Sequence, residues 1–213
     1  MSTPRRSFLG RLGALLAVGA VPSTALAASS TSTEPHRDSA FWPDERWLEA
    51  IAQGEHRIFV ETGTLTDVIG FRRTVNYLDA MKNDYHIPDK RLGVAIGVHG
   101  GAISLSLNDA LWAKYKLGER GGLKTPTGAA PTAHPFRTGG PGTVEGLTAR
   151  GVWLLACNNS MRRLSRELAG TADPAPIYNE LVAGLLPQFT LVPAMIAAVG
   201  RAQERNVPVL VVG

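Results

Sequence analysis

The 213-residue chain contains one cysteine, Cys157. A lone cysteine excludes an internal disulfide, so this thiol is either buried and inert, paired with another chain, or free and reactive. Metal-type spacing is also missing. His56, His86 and His134 are isolated, and a zinc site would have to borrow ligands from a second subunit. No internal repeat is visible. The longest apolar stretch, Leu12–Val21, is too short and too glycine-rich to span a bilayer.

What is present at the amino terminus is an export signal. Arg5-Arg6-Ser7-Phe8-Leu9 precedes the apolar run, and Ala25-Leu26-Ala27 supplies an A-x-A cleavage site. The paired arginines point to the twin-arginine route and a periplasmic destination, with a short uncleaved anchor or an ordinary secretory signal as the alternatives. The signal carries Arg5, Arg6 and Arg11 and no acid, so removing it drops the formal charge of +4 by three, to +1. No electrostatic case for nucleic acid or for an anionic membrane surface remains, and no stable membrane insertion is expected after cleavage. About 185 residues are left, enough for one domain with a full core. The organisation expected is a signal over residues 1–27, a linker and helical arm over 28–55, and one α/β domain over 56–213.

Within that domain, apolar runs alternate with helical periodicity. Strands are predicted at Arg57–Val60, Arg91–Val98, Val152–Ala156, Phe189–Val192 and Val207–Val212. Helices are predicted at Asp44–Gln53, Thr66–Met81, Ser104–Lys116, Val144–Arg150, Ser160–Leu168 and Ala194–Glu204. The alternation predicts an α/β fold with a mostly parallel five-stranded sheet and helices on both faces. Gly118–Gly142, rich in Gly, Pro and Thr, reads as a long functional or mobile loop. The stretch containing Pro174 and Pro176 reads as a polar loop.

The organising stretch is Gly151–Arg163, GVWLLACNNSMRR: a buried strand, the cysteine, a turn at Asn158 and Asn159, and a basic helix opening at Ser160. Open α/β sheets bind ligands and do chemistry at the carboxyl ends of their strands. Unpaired N–H groups of Asn159, Ser160 and Met161, with Arg162 and Arg163 within a turn, would stabilise a thiolate there and make Cys157 a nucleophile. The bland reading is a cysteine that fills the end of a strand. Cys157 and Arg163 also have the C-x5-R spacing of a phosphate-binding loop, but the glycines that turn such a loop's amides inward are missing. His99, ending the second strand beside Gly100 and Gly101, is a candidate base or ligand contact, or a cap for nearby backbone groups. Lys114 and Tyr115 face either a partner chain or solvent, with Trp112 in the core.

Four segments in order resemble the DsrE/DsrF-like sulfur-relay family: Val94–Gly101 (VAIGVHGG), Arg150–Met161 (RGVWLLACNNSM), Leu185–Pro193 (LLPQFTLVP), and Gln203 with the closing Val209–Val212 run. The helix containing Asn108–Tyr115 is similar to that of exported members. Three positions depart from the pattern: Asn158, Met195 and Asn206 stand where glycine is usual. The resemblance implies a DsrE-like α/β sandwich that assembles as a trimer or hexamer. It also implies a persulfide carried on Cys157 and exchanged with a donor or acceptor protein. His99, Gly100, Asn158, Asn159 and Arg162 would line the pocket. No dissociable cofactor and no metal are implied. The reading from another class is a non-enzymatic oligomer that holds a small ligand or metal in the same fold. A phosphatase is the third.

Overall fold

The computed structural model describes residues 44–65 and 68–212. The expected export signal over residues 1–27 and the expected Ala28–Glu34 linker lie outside those residues. The fold is α/β, with five strands, all parallel, in the order β4-β3-β2-β1-β5. The strands are β1 (His56–Thr62), β2 (Leu92–Val98), β3 (Trp153–Cys157), β4 (Phe189–Val192) and β5 (Val209–Val212). Residues of β2 and β3 are almost wholly buried, because helices cover both sides of the sheet. Among the described residues, no helix is long and apolar enough to cross a membrane.

Side chains alternate between the two faces, and the alternation decides what each helix covers. On one face, Val60, Val94 and Leu154 meet α2 (Ile69–Asn83), α5 (Val144–Ala149) and α6 (Asn158–Ala169). On the other, Phe59, Gly93 and Gly97 meet α1 (Arg46–Ala52) and α8 (Met195–Glu204). The glycines here permit close approach. A Cβ at Gly93 would overlap the Ile51 carbonyl, and one at Gly97 would overlap the Met195 thioether. The helical arm foreseen at Asp44–Gln53 is therefore part of the domain. Its Trp47, Leu48 and Ile51 are fully buried, and the Trp47 ring stands edge-on to Phe59 at 5.9 Å.

Two segments differ from expectation here. The helix predicted over Ser104–Lys116 is divided into a 3-10 segment, Gly100–Ser106, and α3 (Asp109–Lys114). Leu107 is drawn into extended geometry by an antiparallel bridge to Leu185, and Asn108 then caps α3 through its side-chain oxygen, which accepts from Leu111 N–H. The loop predicted around Pro174 and Pro176 contains α7 (Ala175–Ala183). Both prolines fall at the start of that helix, where a missing N–H removes no hydrogen bond. Lys114 and Tyr115 both reach Glu180 on α7, at 2.6 and 2.5 Å, and Trp112 is buried with Nε1–H donating to the Ser104 carbonyl.

The long Gly118–Gly142 stretch begins inside α4 (Leu117–Arg120) and is thereafter irregular, yet it is anchored. His134 is 6% exposed and lies against Trp112 at 5.1 Å. Its Nδ1 accepts from Phe136 N–H at 3.1 Å, which leaves Nε2–H to donate to the Leu105 carbonyl at 2.9 Å. The neutral ring is thus satisfied at both nitrogens, and burial holds its pKa below the ordinary 6.5. As pH falls through that value the unfolded chain takes up the proton first, so stability is lost on acidification. His134→Ala is expected to cost about 2 kcal/mol at neutral pH. It should also remove the component of stability that the wild type loses below pH 6.5. Denaturant unfolding across a pH series checks both.

Candidate functional site

All five strands point the same way, so their carboxyl ends form one edge of the sheet, and the residues singled out by the sequence gather there. Cys157 closes β3 and is the N-cap of α6, but its side chain makes no capping bond to that helix. Helix α6 opens at Asn158, not Ser160, so the two asparagines form its first turn and not a loop before it. The N–H groups of Asn159, Ser160 and Met161 therefore do not hold the thiol. Strand alternation sends Sγ to the opposite face, where it accepts a hydrogen bond from Met195 N–H at 3.3 Å. Met195 is the first residue of α8, so its N–H is one of the orphan donors at a helix N-terminus. The sulfur sits at the positive end of α8, with the carboxyl end of its own strand behind it. It is 4% exposed.

His99 extends β2 by one residue, with extended backbone geometry and its N–H donating to the Thr62 carbonyl. The last β2–β3 pair is Val98 with Ala156, so the next step in register sets His99 beside Cys157, both on the α8 face. The imidazole is turned toward β1: Nε2 is 3.1 Å from Glu61 Oε1, and the ring lies against Gly63. The Glu61 side chain is 15% exposed and the His99 side chain 32%, so the pair borders solvent while the thiol lies inside. Glu61 has no local sequence signal. Only the parallel register of β1 on β2 brings it to His99.

The other residues foreseen in a pocket divide differently. Asn158 Oδ1 accepts from the Tyr178 hydroxyl at 2.8 Å, and the Arg162 guanidinium lies over the Tyr178 ring at 4.7 Å, tying α6 to α7. Arg162 is engaged with that ring on the α7 side and not with the thiol. Asn159 is exposed. Arg163 pairs with Glu167 one turn along α6 at 3.3 Å and borders a cleft on the face opposite the cysteine side chain. That separation dismantles the C-x5-R phosphate loop: its nucleophile and its clamp lie on different sides of the sheet.

The cleft, of about 630 Å³, is walled by the turn after β1 (Gly63–Leu65), the turn after β2 (Gly100 and Gly101), α4 and α6. Gly100 has φ +54° and its N–H donates to Ser160 Oγ at 3.0 Å, so the β2 turn is pinned to α6. A side chain at Gly100 would be strained and would also overlap the Gly63 carbonyl. Of the residues foreseen in a pocket, Gly100 borders this cleft and His99, Asn158, Asn159 and Arg162 do not. Among the described residues, no group of three or more His, Cys, Asp or Glu side chains is placed to hold a metal ion.

The three departures from the sulfur-relay pattern have local explanations. Asn206 adopts φ +56°, the left-handed conformation in which asparagine best replaces glycine. Asn158 is helical and needs no glycine. Met195 supplies the N–H that meets the thiol and lays its side chain over Gly97.

The Met195 contact can be tested without breaking α8, because proline is tolerated at the first position of a helix and Ala194 already has extended geometry. Met195→Pro removes the N–H, whereas Met195→Ala keeps it and removes only the side chain. Alkylation of Cys157 by iodoacetamide at fixed, mildly alkaline pH should be about tenfold slower in Met195→Pro than in Met195→Ala. Compared with family models and with curated proteins, the sequence matches none.

Proposed function

We propose that the protein is an exported sulfur carrier of the DsrE-like kind, which takes up one sulfur atom as a persulfide on Cys157. The observation that carries this reading is the seat of the thiol. It lies at the first N–H of α8 and is next in register to His99, which is in turn held by Glu61. The N–H that meets the thiol sulfur could hydrogen-bond the inner sulfur of a persulfide in the same way. The reading assigns His99, next in register to Cys157 and held by Glu61, the transfer of a proton to or from the leaving group.

The loading step is a displacement. The Cys157 thiolate attacks the terminal sulfur of a polysulfide. One S–S bond forms, one breaks, and a polysulfide one sulfur shorter leaves with the electron pair. An acceptor thiolate discharges the carrier by attacking the outer sulfur, returning the Cys157 thiolate. Neither step changes the overall oxidation state, so no external oxidant is needed.

The ordered resemblance across the segments from Gly93 to Val212 supports the sulfur chemistry. The paired arginines at the amino terminus support periplasmic export. Exposed Val211 and Leu210 on edge strand β5, with Ile196 on α8, support assembly into a trimer or hexamer. A second reading, a non-enzymatic oligomer that holds a small ligand in the same fold, is favoured by the burial of the thiol.

One experiment separates the two. After incubation with inorganic polysulfide, the intact mass of the wild type should rise by one sulfur atom and that of Cys157→Ser should not. His99→Gln and Glu61→Gln should load about tenfold more slowly. An unmodified mass, under conditions that load a control sulfur carrier, would favour the second reading.

A further inference from the structure

We infer that the cleft on the α6 face of the sheet binds a small organic anion: an apolar body carrying one carboxylate, sulfonate or phosphate-type head. This site is separate from the thiol. Its volume of about 630 Å³ is that of a small-molecule pocket, and it lies at the strand carboxyl edge, where α/β sheets receive ligands.

The lining has two parts. Ile103, Leu117 and Leu164, each less than a tenth exposed, form an apolar floor. At the rim stand Arg120 at the end of α4 and Arg163 on α6. Among the described residues of the lining the one acid, Glu167, is already paired with Arg163. The Arg120 side chain has no ion-pair or hydrogen-bond partner among the described residues, so none of them compensates its charge at the cleft rim. The hydroxyls of Thr64, Ser104 and Ser160 add polar groups between floor and rim. An apolar floor beneath an unpaired guanidinium matches an amphiphilic anion. It does not match a metal ion, for which the described residues of the lining offer a single carboxylate. Nor does it match a polyanion, which would need a basic surface longer than this cleft.

The cleft and the thiol sit back to back across one strand end. His99 belongs to the thiol side and Gly100, its neighbour in sequence, to the cleft side. The inference does not depend on what Cys157 does.

The probe pair is 8-anilinonaphthalene-1-sulfonate and N-phenyl-1-naphthylamine, which share an aromatic body and differ in the sulfonate. Both are titrated by fluorescence into the full chain. Arg120→Gln should weaken the sulfonate probe about tenfold, the loss of one charge-assisted hydrogen bond, while the neutral probe changes less than twofold. Arg120→Gln with Arg163→Gln should weaken the sulfonate probe further. Both arginines are exposed, so the variants should fold, and circular dichroism confirms it. Cys157→Ser should bind both probes as the wild type does, which keeps this result independent of any outcome of sulfur loading. The inference is overturned if the double variant binds the sulfonate probe like the wild type. It is also overturned if both probes weaken equally, or if Cys157→Ser abolishes binding.

Discussion

The arrangement depends on the contact between α8 and the bare backbone of β2. Gly97 has no side chain, so the Met195 thioether lies directly on the strand and α8 sits close to the sheet. That depth brings the first N–H of α8 within hydrogen-bonding range of Cys157 Sγ. A larger residue at Gly97 would lift the helix and leave the sulfur buried without a donor. A glycine in a strand interior usually weakens it, and here the loss is offset by the packing of Met195, Phe59 and the helix above them. The position of the thiol is thus set from outside its own segment, by a residue distant in sequence on the neighbouring strand.

The second organising fact is the two-residue period of the strands. Because successive side chains alternate, β2 and β3 end by distributing their chemistry to opposite faces of one edge. His99 and Cys157 go to the α8 face, and Gly100 and Ser160 go to the cleft face. A single carboxyl edge thereby carries two environments. One is closed, with a buried sulfur beside a His–Glu pair. The other is open, with an apolar floor and arginines at the rim. The Gly100–Ser160 hydrogen bond is the partition between them.

Much of the fold is legible in the sequence because its signals are local. Apolar runs such as Val94–Val98 and Leu154–Ala156 can only be strands buried on both faces, and their alternation with helices dictates a parallel sheet. What could not be read depends on distant partners. The break at Leu107 follows from its bridge to Leu185, and α7 was hidden by two prolines that fall in the permitted first turn. That Cys157 and His99 lie at the carboxyl edge of the sheet was legible from strand ends. The internal geometry of the site was not. The donor to the sulfur comes from α8 and not from α6, and Glu61 joins His99 only through strand register. Arg163, in the same stretch as the cysteine, borders the cleft on the other side, because strand alternation turns Cys157 Sγ away from α6.

The central claim is that this buried sulfur, held at the head of α8, is a carrier and not a filler. The most direct measurement is the intact mass of the protein purified from its own cells, with an alkylating agent present from lysis onward. The account predicts a fraction of chains in which the alkyl group is attached to Cys157 through an extra sulfur atom. That fraction should be lost on reduction. Chains recovered entirely with an unmodified thiol, while a known persulfide carrier in the same lysate is found loaded, would contradict it.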